Sequence, residues 1–378
     1  MKKIILFSIA SLCISLGALC QFTCVIDEGG LKSTGPLIDS DDYIPDNNTP
    51  IKYIRINFHF MLFEDTHPDA PGNFTKMDDG RGNTDFTGYD WIDDLIQTAN
   101  QRLASNTQMT YPLGNNTPVI ERKYRFVLNG VFFHKDDYYY YYSHSPQATY
   151  SANPGEAINV YYQSDSVGAI QSHGQANMAG NRYCRFANKW GKYNDYYNDQ
   201  GTFIGNWGNA GGLMHETGHN LSLYHTVMTS DGYCCYSYNY GCNDYCEDTP
   251  TREYVISVDE IDPCQSSQWN NPLNSNNIME YAGYSAITPQ QLGRVHWTIE
   301  NEMSAYQPCS FQTSSVSITG FTDNQSYIAE TVTIPVMSNI VVEDKSALYV
   351  NCEDFIIYGT LEVEPGSVLV VNTVPSCN

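Results

Sequence analysis

The sequence predicts an α+β fold followed by a small all-β C-terminal domain. Apolar residues alternate near residue 54 and recur at helical spacing near residue 91, which indicates strands and helices in one domain. The stretch "HETGHNLSLYH", residues 215–225, has three histidines and one glutamate at the spacing of a metal-binding helix. Beyond residue 312 the chain is rich in β-branched residues and lacks helical spacing, which favours strands alone.

The length and charge of the chain limit its class. A chain of 378 residues suggests about two domains and can bury a sizeable core. The formal net charge of -23 argues against nucleic acid as a partner. The acidic residues are spread along the chain, which indicates solubility and leaves room for calcium ligation.

The N-terminus has the pattern of a signal peptide. Two lysines precede an apolar run, and Ala18 and Cys20 supply small residues at positions -3 and -1, so residues 1–20 are expected to be removed before Gln21. A lipoprotein signal at Cys20 fits poorly, because Leu19 precedes the cysteine. No later stretch is long and apolar enough to span a membrane, so we expect a secreted or extracellular protein.

The cysteine count agrees with export. Of twelve cysteines, Cys13 and Cys20 would leave with the signal peptide, and the ten that remain are an even number suited to disulfides. A second, cysteine-based zinc site is the competing interpretation, and the irregular spacing argues against it. Five of the cysteines cluster after the third histidine: Cys234, Cys235, Cys242, Cys246 and Cys264.

The first part of the mature chain contains strands and one helix. The polar residues 21–50 are predicted to be a linker or a short pro-segment. Apolar side chains alternate from Ile54 to Leu62, which marks a strand, and recur at helical spacing from Trp91 to Leu103. Further strands are predicted near residues 121–133, 157–163 and 171–183, the last Gly-rich and at the sheet edge beside a cleft.

The histidine-rich stretch is predicted to be a metal-binding helix with a bend at its end. His215 and His219 lie four residues apart, so a helix places both imidazoles on one face. Glu216 lies about 100° around the helix, beside the ion, where a general base would act on water. His225 reaches the same ion only if the chain bends, and Ser222 stands where the longer motif has glycine.

Two short stretches resemble a known protease family. "GLMHETGHNLSLYHT" is similar to the active-site helix of the metzincin metalloproteases, and most similar to the pappalysin group with its Leu-Tyr-His-Thr ending. "NIMEY", residues 277–281, resembles the downstream Met-turn of that group, and "CEDTP", residues 246–250, resembles its Asp-Thr-Pro segment. The resemblance covers roughly residues 50–308 and is strong only in the first two stretches.

The resemblance implies a fold and a set of roles. The fold would be a metzincin-like catalytic domain at 51–312, with a twisted mixed sheet and an active-site helix. One Zn²⁺ is implied, and calcium is a further implied cofactor without assigned ligands. The implied roles are zinc ligands His215, His219 and His225, general base Glu216, Met-turn residue Met279, and Tyr281 near the metal to stabilise the transition state.

A last helix and a repetitive tail complete the chain. Thr288 as N-cap, Pro289 at N1 and Gln291 at N3 form a capping-box pattern. In the tail, residues 340–351 align with residues 361–372 at a period of 21, with six of twelve positions identical. This period suggests stacked β rungs, either a short β-solenoid or a small sandwich.

The tail, residues 313–378, is predicted to be a separable β-rich domain, so that a chain truncated near residue 312 should remain folded and still cleave a small peptide. Its role is open: contact with substrate, cell surface or matrix, help in secretion, or capping of the catalytic domain.

The sequence therefore predicts a secreted zinc-dependent endopeptidase acting on a protein or peptide substrate. A metal-activated water would hydrolyse the peptide bond, with Glu216 as general base. Two alternatives stay open. In a gluzincin-type peptidase another residue would be the third ligand and His225 would be incidental. In a non-enzymatic surface-binding protein the β-rich tail would carry the function.

Overall fold

The computed structural model describes part of the chain. The described residues are 22–27, 40–110, 114–164, 172–187, 206–226, 244–249, 275–280, 284–308, 310–321 and 323–373.

Over these residues, the larger part of the molecule is built on a six-stranded sheet in the order β1-β5-β6-β4-β2-β3. All neighbouring strands are parallel except β5 and β6, so the sheet is mixed, as predicted. The strands are β1 (Phe22–Asp27), β2 (Lys52–Leu62), β3 (Tyr124–Lys135), β4 (Ile158–Gln163), β5 (Ser172–Asn177) and β6 (Tyr183–Ala187).

The Gly-rich stretch near 171–183 is not the sheet edge that the sequence suggested. β1 pairs in parallel with β5, from Phe22 opposite Ser172 to Asp27 opposite Asn177, and is itself the outer strand. The prediction was wrong because the covering strand comes from the N-terminal segment 21–50, about 150 residues earlier. Local composition does not reveal a pairing between segments so far apart.

Two of the described helices begin at capping boxes. Thr87 and Asp90 form one at the start of α1, and Thr288 and Gln291 form the other at the start of α5, as predicted. In each box the N-cap hydroxyl accepts from the N3 amide while the N3 side chain accepts from the N-cap amide. The helices are α1 (Gly88–Ala104), α2 (Asp137–Tyr140), α3 (Gln147–Tyr150), α4 (Trp207–Asn220) and α5 (Pro289–Asn301).

The core lies between the sheet and the longer helices. β2 is buried from Ile54 onward, as expected for a central strand with both faces covered. The apolar stripe of α1 and that of α5 belong to the same buried cluster as β2, and α4 joins it through Leu213 and Met214. One hydrophobic core therefore supports all three helices.

The tail is a β-solenoid. Its strands form three parallel sheets, β14-β11-β8, β12-β9-β7 and β10-β13. β13 pairs with β10 and β14 pairs with β11 at the 21-residue repeat, with Asn339 opposite Thr360 and Ala347 opposite Val368. The stacked register decides between solenoid and sandwich. The strands are β7 (Ser315–Ser317), β8 (Gln325–Ile328), β9 (Thr331–Ile334), β10 (Asn339–Val342), β11 (Ala347–Cys352), β12 (Asp354–Ile357), β13 (Thr360–Val363) and β14 (Val368–Thr373).

The solenoid has its own apolar interior and also contacts the main core. Val332, Ile334 and Val350 belong to a separate buried cluster within the tail. Ala347 and Tyr349 on β11 instead join the core that β2 and the helices form. The predicted boundary at residue 312 stays a prediction, and the packing shows that the two regions share an apolar contact.

The disulfide prediction finds no support among the described cysteines. Cys184, Cys246 and Cys352 are buried free thiols. The Cys184 thiol donates to Oδ1 of Asn220 at 3.0 Å. Cys234, Cys235, Cys242 and Cys264 lie outside the described residues. Within the part of the chain that the structure describes, no helix is long and apolar enough to cross a membrane.

Candidate metal centre

Helix α4 is fixed at both ends. At its start, Arg102 of α1 donates to the carbonyl of Trp207, and its guanidinium carbon lies 4.5 Å from the centroid of the Trp207 ring. At its end, the side-chain amide of Asn220 donates to the carbonyl of Asn177 at 2.6 Å and to that of Tyr183 at 3.1 Å. These bonds tie the helix to α1 and to the β5–β6 pair.

The three predicted histidines converge on one point. Nε2 of His225 lies 3.0 Å from Nε2 of His215 and 3.2 Å from Nε2 of His219, and all three side chains are buried. One ligand atom from each lies within 4.8 Å of the others. A tetrahedral zinc with Zn–N bonds of about 2.0–2.1 Å separates its nitrogens by about 3.3 Å, so the cluster has the size of a zinc site.

Carbonyl groups orient two of the imidazoles. Nδ1 of His215 lies 2.7 Å from the carbonyl oxygen of Ile278, and Nδ1 of His219 lies 2.7 Å from that of Leu223. Because a carbonyl oxygen only accepts, each Nδ1 carries the proton and donates it. The lone pair is then on Nε2, which faces the other rings, as metal binding requires.

Burial keeps the three rings neutral. Desolvation lowers the pKa of His215 to about 4, although its bond to the Ile278 carbonyl opposes the shift. Desolvation also lowers the pKa of His219 and that of His225 well below the ordinary value, and the neighbouring histidines add to it. Neutral imidazole is the form that binds a metal, so the site is in its ligand form at neutral pH.

Ser222 makes the bend that the sequence required. Its φ is +63°, in the left-handed region. The Ser222 amide donates to the carbonyl of His219 and the Leu223 amide to that of Gly218, each at 3.0 Å, which is the Schellman pattern of a helix end. The chain reverses there and returns His225 to the face that carries the other two histidines.

Met279 lies directly below the helix. A Cβ placed on Gly218 would be only 2.7 Å from its sulfur, so the methionine packs where a side chain at 218 would otherwise be. Thr226, just after the third histidine, donates its hydroxyl to the Glu280 carboxylate, just after Met279. The two predicted motifs, 54 residues apart in sequence, are thus in direct contact.

The structure describes the predicted base, Glu216, but not the predicted tyrosine, Tyr281. Glu216 is fully buried on α4 next to His215. Burial, and secondarily the nearby Glu216 carboxylate, raises the pKa of the Cys184 thiol well above its usual range, which places Cys184 and the glutamate in one environment. Tyr281 lies outside the described residues.

Sequence reasoning missed the side chains that support the site. The sequence analysis assigned no role to Asn220, which lies between two motif histidines, or to Asn277, which begins the Met-turn stretch. Gln291 was recognised as a capping residue, but it also contacts Asn277. An asparagine two residues before the Met-turn methionine is a signal for a side-chain turn and could have identified Asn277.

Comparison with known families supports the resemblance. Residues 142–300 match the peptidase M43 family, described as Pregnancy-associated plasma protein-A. No curated protein matched the chain. The matched region contains the three histidines, Glu216 and Met279. Residues 142–300 therefore carry a pappalysin-like zinc metallopeptidase domain of the metzincin clan, and the resemblance seen in the two motifs is confirmed.

Proposed function

We propose that the protein is a secreted zinc-dependent endopeptidase in which Glu216 is the general base. The observation that supports this most is the convergence of three neutral Nε2 atoms beside a buried glutamate, within the region that matches the metallopeptidase family. Peptidases of this class act on proteins or peptides, so a polypeptide is the expected substrate.

The histidines fit zinc by number, chemistry and spacing. His215, His219 and His225 would hold the ion, and three protein ligands leave one position open, as in catalytic zinc sites. When bound, zinc would act as a Lewis acid and lower the pKa of water to about 7. In the gluzincin alternative His225 is incidental and another residue is the third ligand. The 3.0 Å between Nε2 of His225 and Nε2 of His215 favours His225 as the third ligand instead.

Glu216 would move protons at the reacting centre. It follows His215 directly on α4, so its carboxylate is beside the ligand face and not on it. There it would take a proton from water and pass it to the departing amine of the cleaved peptide. Tyr281, two residues after Met279, is proposed to donate a hydrogen bond to the developing oxyanion.

Secretion is proposed from the N-terminal pattern. Residues 1–20 have a basic start, an apolar run and small residues at the expected cleavage positions. The mature chain would begin at Gln21, immediately before the strand β1.

The substitution Glu216→Gln tests the assignment of the base. We expect the variant to bind one equivalent of zinc, because the three ligands are unchanged, and to lose peptidase activity by at least about 10²–10⁴-fold. Zinc content by atomic absorption and cleavage of an unstructured protein substrate, with and without chelator, are the measurements.

Glu330→Gln is the control, because it makes the same chemical change at an exposed position in the tail. It should leave both the zinc content and the peptidase activity unchanged. Loss of stoichiometric zinc from a folded Glu216→Gln protein would mean that the glutamate is a ligand and not the base.

A further inference from the structure

Two buried amide side chains connect the last helix to the turn beneath the metal centre. Gln291 is 1% exposed and Asn277 is 0% exposed. Nδ2 of Asn277 donates to Oε1 of Gln291 at 2.7 Å, and Nε2 of Gln291 donates back to Oδ1 of Asn277 at 3.2 Å. The two amides thus form a reciprocal pair with both groups satisfied.

The same oxygen of Gln291 also caps the helix. Oε1 accepts from the amide of Thr288 at 3.1 Å, which is one half of the capping box of α5. One side chain therefore stabilises the start of α5 and holds Asn277. Without it, the other side-chain contact of Asn277 Nδ2 is a weak one to the sulfur of Met109 at 3.6 Å.

Asn277 in turn sets the conformation of the Met-turn. Its Oδ1 accepts from the amide of Met279 at 2.9 Å, and its carbonyl accepts from the amide of Glu280 at 3.1 Å. Ile278 lies between these bonds, and its carbonyl is the group that accepts from Nδ1 of His215 at 2.7 Å. The side chain of Asn277 therefore helps to hold that carbonyl in place, together with the bond from the Ile278 amide to the carbonyl of Ala286 at 2.8 Å.

We infer that Gln291 is a positioning residue for the metal site, acting through Asn277 and the Ile278 carbonyl on the imidazole of His215. The inference rests on the proposed function, in that His215 binds zinc. Groups that hydrogen-bond to a ligating histidine typically change metal affinity or activity 10–100-fold when they are removed. Gln291 acts one residue further away, so we expect a change near the lower end, about 10-fold.

The main test compares Gln291→Met with a matched change in the same helix. Methionine is unbranched and helix-compatible but can neither donate to Oδ1 nor accept as an amide does. His296→Met is the control, because His296 is also buried on α5 and donates to the Arg122 carbonyl, away from the Met-turn. The zinc Kd is measured by competition with a chromophoric chelator, on the full chain, for wild type and both variants.

We expect Gln291→Met to raise the zinc Kd about 10-fold and His296→Met to leave it within about 2-fold. The visible spectrum of the Co²⁺-loaded protein should change in Gln291→Met alone, because that spectrum reports ligand geometry. If the variant cleaves peptide, kcat should fall while KM stays near the wild-type value. A zinc Kd and Co²⁺ spectrum equal to those of the control would overturn the inference.

A second variant covers the case in which Gln291→Met does not fold. Gln291→Glu keeps an oxygen that can cap Thr288 and accept from Nδ2 of Asn277, but it replaces the donor to Oδ1 of Asn277 with a second acceptor. The helix start therefore survives, while the reciprocal pair loses one of its two bonds and sets two oxygens against each other. We expect its zinc Kd to rise as well, and an unchanged Kd would contradict the inference. Failure of the proposed function looks different, because wild type itself would then bind less than one equivalent of zinc.

Discussion

Ser222 occupies a backbone conformation that glycine adopts at much lower cost. Its φ is +63° at the C-terminal end of α4, where the Schellman bonds to Gly218 and His219 require a left-handed residue. A left-handed conformation costs an L-residue about 1–2 kcal/mol. The return of His225 to the metal face depends on this single residue.

We expect Ser222→Gly to raise the free energy of unfolding by about 0.5–1.5 kcal/mol, because it removes that strain, with zinc binding unchanged. Urea denaturation of the metal-free protein is the measurement. Ser105→Gly is the matched control: Ser105 is the C-cap of α1 with φ -115°, so glycine there only adds freedom to the unfolded chain. It should lower stability by about 0.5–1 kcal/mol. If the free energy of unfolding changed in the same direction in both variants, the strain argument would be contradicted.

A second pair of histidines lies away from the metal centre. Nδ1 of His59 is 2.9 Å from Nε2 of His134, and Nε2 of His59 donates to Oδ1 of Asn159 at 2.8 Å. His59 must therefore accept at Nδ1, and His134 donates from Nε2. Burial, aided by the neighbouring histidine, lowers the pKa of His59 well below its usual value, and burial lowers the pKa of His134 to about 4.

This pair predicts acid sensitivity. Above about pH 6.5 neither the folded nor the unfolded chain protonates these rings, so their stabilising contribution is fully present. As the pH falls from about 6.5 toward 4, only the unfolded chain binds the protons, and stability is lost. At pH 5 the loss from His134 is about 2 kcal/mol. We expect His134→Phe to lose less stability than wild type between pH 7 and pH 5 in urea titrations, and parallel losses would refute this origin.

At the scale of elements, α5 packs against the segment that precedes the first long strand. A Cβ added to Gly293 would lie 2.1 Å from the carbonyl oxygen of Ser40 and 2.9 Å from its carbonyl carbon. Both atoms belong to the backbone, so they move only if the whole 40–43 segment moves. Glycine is therefore needed at this contact although it weakens the helix.

We expect Gly293→Ala to lower the free energy of unfolding by about 1–3 kcal/mol, because overpacking outweighs the gain in helix propensity of about 1 kcal/mol. Gly320→Ala is the control, since a Cβ there meets no atom within 4 Å. That change should be neutral or slightly stabilising. A stabilised Gly293→Ala protein would show that the 40–43 segment does not hold its place against α5. Thermal unfolding followed by circular dichroism distinguishes these outcomes.

At the scale of the whole molecule, the solenoid is joined to the α+β domain through β3 and the domain's last residues. Asn351 of β11 donates to the side chain of Asn129 on β3, and Tyr349 is 1% exposed within the main core. Arg55 of β2 donates to the carbonyls of Ala305, Pro308 and Ser310, which fixes the chain as it leaves the larger domain.

Truncation after residue 312 tests whether the two regions are independent. Because Tyr349 and Ala347 complete the main core, we expect the shortened chain to be less stable than the full chain by at least about 2 kcal/mol, the value of one buried large side chain. In the full chain, near-ultraviolet circular dichroism and peptidase activity should be lost in one transition. A shortened chain as stable as the full one would instead establish the separable domain that the composition predicts.

The sequence by itself determined the features that depend on neighbouring residues. The alternation from Ile54 to Leu62, the capping box at Thr288, the spacing of His215 and His219 and the 21-residue period all report local geometry, and the structure reproduces each. Their physical basis is the fixed periodicity of helix, strand and rung, which repeats within a few residues or within one repeat unit.

Only the tertiary structure decided what depends on contacts between distant segments. Four features have no local signature: the strand β1 at the sheet edge, the burial of the three described cysteines, the packing of Tyr349 into the main core, and the link from Gln291 to the Met-turn. Each arises because folding brings together segments that composition treats separately, and the hydrophobic effect rewards burial without regard to sequence distance. The bend at Ser222 was determined in part by each. The spacing of the histidines requires a bend, but only the positive φ in the structure shows that a serine adopts it.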